Sequence, residues 1–355
     1  MSLVVEKDGK KYYTFSNWER KKWTIPVNNS KVALCLYEPS GTKGKILKKL
    51  FPVVAKLGVV SFVLKGNYCS LYFEEKLNTL LKGLFGNDLQ YSIFWGTPCI
   101  DQKITIQIFK QNRILGYCKI AKGNRVAELF KHEEQILNLL HLKRVESVPQ
   151  CLFRGTICDY SVFIQSTEKE PSSIVVGKYS KYQKEFLESL KNKTEKYSDF
   201  KSTDFYMEMQ KLKSSISNFD INTQKQVLSY IDEIENTYRE LRVNWGIVHR
   251  DFTPWNTCLV KNKLFVFDFE YALFQAPSSI DRCHFFCQKY CFENDKECLE
   301  LLKKENKIDL LTYLVSFMAL YIRRGEPQDI LQATNRAKLI KKIIAEKENH
   351  YGGII

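Results

Sequence analysis

Short stretches of alternating apolar and polar positions, each bounded by turn residues, characterise the segment from residue 90 to residue 167. Three of them predict antiparallel strands at residues 91–95, 103–109 and 114–121. Apolar residues then recur at helical spacing over residues 125–142, and two more strands are predicted between residues 152 and 165. The pattern therefore indicates a strand-rich region that contains one long helix.

Helical periodicity dominates from residue 168 to the end of the chain. An apolar stripe typical of a core-packed helix is formed by Ile231, Ile234, Tyr238 and Leu241. Two apolar strands interrupt this pattern near residues 247 and 264. The pattern predicts an α+β fold in which residues 90–167 form a strand-rich lobe and residues 168–355 form a helical lobe.

Residues 1–89 combine both patterns and predict a small accessory α/β region packed on the rest of the protein. Helical spacing is seen at Ile46, Leu50, Val53 and Leu57. The most apolar window of the chain, residues 50–64, contains Lys56 and is too short to span a membrane. It is therefore predicted to be a buried segment.

Composition is ordinary for a globular protein, with 44% hydrophobic and 26% charged residues among 355. The net charge of +14 is unusual and predicts an anionic partner, such as ATP, an anionic glycan or an acidic membrane surface, unless the lysines simply cover solvated faces. No motif typical of nucleic-acid-binding proteins accompanies the charge, so no nucleic-acid partner is predicted.

The eleven cysteines form no paired framework, and no apolar signal segment precedes them. A reduced, cytoplasmic protein is expected. Cys283, Cys287 and Cys291 recur at helical spacing, and in the absence of a Cys-x-x-Cys pair they are predicted to be small buried side chains rather than metal ligands.

The main chemical signal lies between residues 244 and 272. An apolar segment leads into a His-Arg-Asp motif that ends at Asp251, Asn256 follows after four residues, and a second apolar strand leads to Asp268 and Glu270. Transfer of a phosphoryl group from ATP to a hydroxyl requires a carboxylate that orients the hydroxyl and accepts its proton, and oxygen ligands for Mg²⁺. Asp251 is predicted to serve the first purpose, and Asn256 with Asp268 the second.

The motif His249-Arg-Asp-x-x-x-x-Asn256 followed by Asp268-x-Glu270 resembles the aminoglycoside phosphotransferase and choline kinase-like family, the small-molecule branch of the protein-kinase fold. Protein kinases carry Asp-Phe-Gly where this chain has Asp268-Phe-Glu270, and the acidic third position favours the small-molecule branch. The segment from Asp251 to Asn256 also resembles kinases associated with bacterial surface polysaccharides. The resemblance implies a two-lobed, kinase-like fold and an ATP-dependent kinase that uses Mg²⁺.

The resemblance also assigns residues in the strand-rich lobe. It implies that Lys119, late in the third strand, binds the α- and β-phosphates. Kinase folds orient this lysine with a carboxylate on the following helix, for which Glu133 is the first choice and Glu134 the second. The resemblance further implies that adenine lies near Gln165 to Thr167.

Three assignments keep an alternative. Gly96 and Thr97 lie between the first two predicted strands. Either their backbone N–H groups contact the phosphates, or the glycine is present only because the turn requires it. Glu270 is expected to support the metal or the acceptor. Asp281 is expected to hold the backbone of the catalytic loop, as in related folds, or to stand at a helix N-terminus as a favourable charge.

The resemblance implies a small-molecule acceptor, most specifically a sugar or a glycan precursor of bacterial surface polysaccharide. The alternatives are a catalytically silent, kinase-like scaffold or regulator, and a kinase of choline or of aminoglycosides. Polycationic aminoglycosides fit a chain of charge +14 less well.

The C-terminal helix has a basic, amphipathic pattern. Its apolar face comprises Leu339, Ile340, Ile343 and Ile344, with lysines around it. Such a helix either lies on an anionic membrane surface or packs its isoleucines against the domain, and packing is favoured.

Overall fold

An antiparallel sheet of eight strands dominates the first half of the chain in the computed structural model, which describes residues 2–17, 19–39 and 42–352. The chain divides into two compact units. The first comprises the described parts of Met1–Asn138 together with Ser147–Ile174 and Leu259–Phe265. The second comprises Leu139–Glu146, Val175–Cys258 and the described part of Val266–Ile355.

The elements up to residue 166 include eight strands and five α-helices. They are β1 (Val4–Ser16), β2 (Lys22–Pro26), α1 (Ser30–Ala33), α2 (Thr42–Lys56), α3 (Val60–Val63), β3 (Gly66–Phe73), α4 (Glu75–Phe85), β4 (Gln90–Phe94), β5 (Ile104–Lys110), β6 (Arg113–Ala121), α5 (Asn124–Leu142), β7 (Cys151–Ile157) and β8 (Tyr160–Ser166). The strand order in the sheet is β3-β1-β2-β4-β5-β6-β8-β7.

The N-terminal strands belong to the same sheet as the predicted kinase-like strands. The sequence suggested a boundary between residues 89 and 90, yet β2 pairs with β4 across it, with Trp23 opposite Phe94 and Thr24 opposite Ile93. This pairing covers the edge of β4, whose backbone N–H and C=O groups would otherwise lack partners in the sheet. Residues 1–89 therefore extend the sheet.

Both faces of the sheet are covered, because successive side chains along a strand point to opposite sides. Ile108 belongs to an apolar cluster with Leu77 of α4, whereas its neighbour Phe109 belongs to a second cluster with Phe51 of α2. All four side chains are fully buried. The N-terminal helices thus contribute to the cores of the same unit as β5.

The elements after residue 174 are mainly helical. They are α6 (Lys181–Thr194), β9 (Lys196–Asp199), α7 (Asp204–Ser214), α8 (Ile221–Tyr238), β10 (Arg242–Val248), β11 (Thr257–Val260), β12 (Lys263–Val266), β13 (Leu273–Ala276), α9 (Ser279–Glu293), α10 (Lys296–Lys304), α11 (Lys307–Arg324) and α12 (Pro327–Gly352). β10 lies between β13 and β9 in a three-stranded sheet, and β11 pairs with β12. The predicted α+β fold class, with an antiparallel strand-rich part followed by a helical part, is confirmed.

The β11–β12 hairpin turns at Lys261 and Asn262. Both residues have positive φ angles, 49° and 64°. Two consecutive left-handed residues are the conformation that a two-residue hairpin loop favours, because its twist matches that of the strands.

The C-terminal helix packs its apolar face within the second unit. Ile340, Ile343 and Ile344 are 0%, 1% and 6% exposed. The suggested membrane contact through this face is therefore wrong, since the isoleucines that would enter the bilayer are already buried. The packing alternative accounts for the amphipathic pattern.

The apolar window of residues 50–64 differs from its prediction as well. It forms the second half of α2 and all of α3, but Leu50, Val53 and Phe62 are 51%, 59% and 87% exposed. The apolar composition of a segment shows how hydrophobic it is in total, but not which of its side chains point to the interior. For this reason the prediction of a buried segment was wrong for these residues. Among the residues that the structure describes, no helix has the length and apolar character needed to cross a membrane.

Candidate active site

The loop after β10 is held by a buried carboxylate. The backbone N–H groups of His249 and Arg250 donate to the two oxygens of Asp281 on α9, at 2.8 and 2.7 Å. Burial raises the pKa of Asp281. His249 and the two backbone donors act in the opposite direction but do not outweigh burial. The expectation that Asp281 holds the backbone of this loop is confirmed.

Arg250 adopts a left-handed conformation, with φ of 67°, which costs a non-glycine residue about 1–3 kcal/mol. Its guanidinium is buried and donates to Glu208 of α7 at 2.8 Å and to the carbonyl of Ser316 on α11, also at 2.8 Å. Burial lowers the pKa of Arg250, an effect that Glu208 opposes. These contacts fix the strained backbone immediately before Asp251.

Asp251 has both carboxylate oxygens in hydrogen bonds. Asn256 Nδ2 donates to Oδ2 at 2.9 Å and to the Asp251 carbonyl at 3.0 Å, and His284 Nε2 lies 3.2 Å from Oδ1. The Asp251 side chain is 29% exposed, whereas that of His284 is 2% exposed. The carboxylate is thus oriented from the protein side and open to a ligand from the solvent side.

His249 is fully buried and serves as an orienting group. Its Nδ1 accepts from the Asp251 N–H at 3.3 Å, and its Nε2 lies 2.9 Å from the carbonyl of Phe267. Together these contacts correspond to the tautomer that carries its proton on Nε2. The ring therefore links the Asp251 loop to the segment that precedes Asp268.

Asn256 and Asp268 are brought together by the backbone. The N–H of Phe267 donates to the Asn256 carbonyl at 3.1 Å, and Asp268 follows in a left-handed conformation with φ of 71°. Carboxylate oxygens of Asp268 and Glu270 lie within 4.8 Å of each other. Carboxylate oxygens are ligands that Mg²⁺ prefers, so this pair of carboxylates is chemically suited to a divalent cation.

Lys119 and Glu133 form a buried ion pair in the first unit. Lys119 Nζ lies 2.7 and 2.9 Å from the two oxygens of Glu133, and the two side chains are 6% and 0% exposed. Glu134 contacts Arg154 instead, at 2.5 Å. Of the two carboxylates that the sequence offered, the one that orients Lys119 is therefore Glu133.

Gly96 lies at the base of a nine-residue loop between β4 and β5, and not at the tip of a hairpin as its sequence position suggested. Its φ is 87°, and a Cβ atom there would stand 2.5 Å from the Lys103 carbonyl at the other end of the loop. The glycine is thus required by the turn itself. Thr97 is exposed in the loop, which Asp101 ties to Arg125 of α5 at 2.5 Å.

Gln165 and Thr167 end β8 and begin the connection that follows it. The Gln165 side chain is 4% exposed, and its Oε1 has no hydrogen-bond partner within the described residues. Buried acceptors normally have a donor, so this oxygen is suited to a ligand N–H. The Thr167 hydroxyl instead accepts from the Lys169 N–H at 3.0 Å.

The eleven cysteines are all free thiols. On α9, Cys283 and Cys287 are fully buried and Cys291 is exposed. Burial raises the pKa of both Cys283 and Cys287, which disfavours the thiolate that metal binding requires. The interpretation of these two thiols as core side chains agrees with the structure.

Several contributing residues lacked a recognised role in the sequence. His284 stands one helical turn after Asp281, a spacing that could have identified it as a second contact from α9 to the loop. Glu208 and Ser316 come from α7 and α11, far away in the chain, and no local pattern marks them. Trp255, in the loop itself, is 42% exposed and lies 6.0 Å from the ring of Phe292.

The sequence matches no protein-family model and no curated protein. The structure, however, resembles solved structures of the aminoglycoside phosphotransferase APH(4)-Ia. A thermostable mutant in a ternary complex with AMP-PNP and hygromycin B gives a TM-score of 0.53 at 14% identity, covering 76% of this chain and 99% of that chain. The apo form of a thermostable mutant gives 0.52 at 13% identity, covering 74% and 98%.

The choline kinase LicA from Streptococcus pneumoniae gives a TM-score of 0.48 at 14% identity, covering 76% of this chain and 99% of that chain. At such identities it is the fold that is shared, and the matches to APH(4)-Ia, with TM-scores above 0.5, show that fold. The chain therefore has the kinase-like α+β fold of the aminoglycoside phosphotransferases.

Proposed function

We propose that the protein is a Mg-ATP-dependent phosphotransferase that phosphorylates a hydroxyl group of a small molecule. The observation that carries the proposal is the geometry around Asp251, whose two oxygens contact Asn256 at 2.9 Å and His284 at 3.2 Å. A carboxylate held in one orientation and partly open to solvent is suited to orient an acceptor hydroxyl and to accept its proton.

The metal is assigned to the neighbouring oxygens. Asn256 and Asp268 serve as Mg²⁺ ligands, and Glu270 supports the metal or the acceptor. Both recorded hydrogen bonds of the Asn256 side chain use its nitrogen, so its carbonyl oxygen is the atom for the cation. When bound, Mg²⁺ neutralises phosphate charge as the phosphoryl group is transferred.

The nucleotide is assigned to residues of the first unit. Lys119, oriented by Glu133, binds the α- and β-phosphates, and the loop of Gly96 and Thr97 contacts phosphate through backbone N–H groups. The buried Gln165 Oε1, which has no donor within the described residues, fits the adenine amino group at the start of the Thr167 connection. A structural neighbour was solved with AMP-PNP and hygromycin B, which supports a nucleotide and a small-molecule acceptor.

The acceptor is proposed to be a sugar or a glycan precursor. Trp255 comes four residues after Asp251 and forms an edge-to-face pair with Phe292, with an interplanar angle of 87°. The two rings are 42% and 58% exposed, so the pair offers an apolar surface that includes a residue of the loop carrying the reactive carboxylate. Sugar rings present C–H faces that pack on such rings, while their hydroxyls supply the acceptor oxygen.

The first test is ATP consumption by the purified protein with Mg²⁺, against a panel of sugars, sugar phosphates, glycans, choline and aminoglycosides. An acceptor-dependent signal is expected, reduced about 10²- to 10⁴-fold by Asp251→Asn. Asp159→Asn, an exposed position in the β7–β8 turn, is the matched control and should retain full activity. Failure to bind ATP would refute the proposal, and ATP binding with no acceptor-dependent consumption would favour the scaffold alternative.

The aromatic pair gives a separate test of the acceptor. Trp255→Ala should raise the KM for the acceptor about tenfold, which corresponds to about 1.4 kcal/mol of lost ring contact, and leave the KM for ATP unchanged. Tyr197→Ala, at a residue 62% exposed on β9, is the control for the loss of an exposed ring. An unchanged acceptor KM would exclude Trp255 from the acceptor site.

A further inference from the structure

Helix α2 carries apolar side chains on two different faces. The first packs on the eight-stranded sheet, where the fully buried ring of Phe51 lies 6.5 Å from that of Tyr13 and 6.1 Å from that of Phe15. The second face comprises Ile46, Leu50 and Val53. Leu57 follows directly after the helix and keeps the helical hydrogen bond from its N–H to the Val53 carbonyl, at 3.1 Å. These four residues are here called the apolar stripe. At about 100° per residue these four lie within about 60° of one another around the helix.

The apolar stripe faces away from the sheet. Its four side chains are between 51% and 69% exposed, and the neighbouring helix α3 adds Phe62 at 87% and Val63 at 56%. Six of the twenty exposed large apolar side chains among the described residues thus fall within 18 consecutive positions. Isolated exposed apolar residues are normal on a protein surface, but a contiguous group of this kind marks an interaction surface.

The segment that carries the stripe has charges of one sign only. Residues 42–65 contain no aspartate or glutamate, and their lysines are Lys43, Lys45, Lys48, Lys49, Lys56 and Lys65. Lys45, Lys49 and Lys56 are exposed and lie about 90° from the centre of the stripe, all on the same side. Long lysine side chains in this position extend along an apolar surface and direct their ammonium groups outward.

A second copy of the chain fits this surface poorly. A symmetric contact would bring two lysine clusters together, with no carboxylate from this segment to offset their repulsion. Protein interfaces are also depleted in lysine. An anionic lipid surface meets both requirements, because it attracts the lysines and accepts the apolar side chains at the boundary between headgroups and acyl chains.

We propose that α2 and α3 form a docking surface for an anionic lipid bilayer. The apolar stripe and Phe62 enter the headgroup region, and the flanking lysines contact lipid phosphates. The proposal does not depend on the phosphotransferase activity. It differs from the membrane contact considered for α12, because there the isoleucines are buried and no apolar face accompanies the lysines.

The charge requirement is tested by flotation of the full-length protein with phosphatidylcholine vesicles and with vesicles of equal parts phosphatidylcholine and phosphatidylserine. Binding is expected only to the second. The triple variant Lys45→Gln, Lys49→Gln, Lys56→Gln should bind about 100-fold more weakly, since each lysine near an anionic surface contributes about fivefold. The matched control on α12, Lys338→Gln, Lys341→Gln, Lys342→Gln, removes the same charge and should change binding less than about twofold.

The apolar requirement is tested by Leu57→Ser with Phe62→Ser, which should weaken binding at least about tenfold. The control is Leu142→Ser with Leu331→Ser, at residues 77% and 61% exposed elsewhere on the surface. Because all four positions are exposed, each variant should keep the wild-type circular dichroism spectrum and melting temperature.

Three outcomes would overturn the proposal. Equal binding to both kinds of vesicle would show that the lysines play no part. If the α12 variant lost as much binding as the α2 triple variant, binding would depend on overall charge and not on this surface. Absence of binding to either vesicle by the wild-type protein would assign the stripe to a protein partner or, if the protein sediments as a dimer that Phe62→Ser dissociates, to a second copy.

Discussion

Asp251 combines two properties, a fixed orientation and access to solvent. Its partners Asn256 and His284 are buried, whereas its own side chain is 29% exposed. The backbone before it is held by hydrogen bonds to Asp281 and by the contacts of the Arg250 guanidinium. These contacts fix the position of the loop that carries Asp251. Strained, over-determined backbone of this kind is typical of functional sites.

The buried pair of Lys119 and Glu133 makes a prediction at the same scale. A buried ion pair is weak evidence for stability, because desolvation offsets much of the attraction, so its more natural role is to orient the lysine. Glu133→Gln should lower kcat/KM for ATP at least about tenfold, the effect of about 1.4 kcal/mol of lost phosphate contact. Glu134→Gln is the adjacent control, because Glu134 contacts Arg154.

Steady-state kinetics with ATP varied would measure both variants. Equal loss in the two would show that the charge of α5 matters and the individual pairing does not. Full activity in Glu133→Gln would show that the proposed function does not require Glu133 to orient Lys119.

At the scale of elements, α7, α9 and α11 converge on the loop after β10. Glu208 of α7 is 7% exposed, and burial alone would raise its pKa; Arg250 and Lys211 outweigh this effect, so the pKa lies below its ordinary value of 4.5. A lowered folded-state pKa contributes stability that is present above the unfolded value and is lost as the pH falls through the folded value. The protein should therefore lose this contribution below pH 4.5.

Glu208→Gln tests this contribution. At neutral pH it should lower the free energy of unfolding by about 3–5 kcal/mol, because Arg250 keeps its charge in a buried position without a carboxylate partner. Below pH 4.5 the difference from the wild type should shrink. Urea denaturation across this range measures both effects, with the exposed Glu128→Gln as control, and a difference that stays constant with pH would contradict the assignment.

At the scale of the whole molecule, the eight-stranded sheet joins residues 1–89 to the strands that carry Lys119. A chain that starts at residue 90 would lose β2, one of the two strands that pair with β4. It would also uncover Phe109 and Ile114, which are 0% and 3% exposed in the full chain. Each uncovered side chain forfeits about 1.5–3 kcal/mol. We therefore expect this shortened chain not to unfold cooperatively.

Circular dichroism during thermal unfolding would test the truncation, with the full chain as reference. A cooperative transition at the wild-type temperature would show that the N-terminal region is a separate accessory body, as the sequence first suggested. Aggregation or a broad transition would support the continuous sheet.

The part of the site that could be predicted from the sequence alone consists of residues that lie close together in the chain. The spacing of Asp251, Asn256 and Asp268, with strands between them, is encoded within 18 consecutive residues, so the loop and the hairpin turn at Asn262 follow from short-range pattern. The same holds for the strand of Lys119 and the helix of Glu133. For these elements the periodicity of apolar residues agrees with the strands and the helix that the structure contains.

Only the tertiary structure decided how elements far apart in sequence meet. The choice of Glu133 over Glu134, the contacts of Glu208, Ser316 and His284 with the loop, and the pairing of β2 with β4 all depend on long-range packing. Periodicity identifies which residues are apolar and not which neighbour covers them. For that reason similar amphipathic patterns led to opposite outcomes, with the isoleucines of α12 buried in the core and the stripe of α2 exposed to solvent.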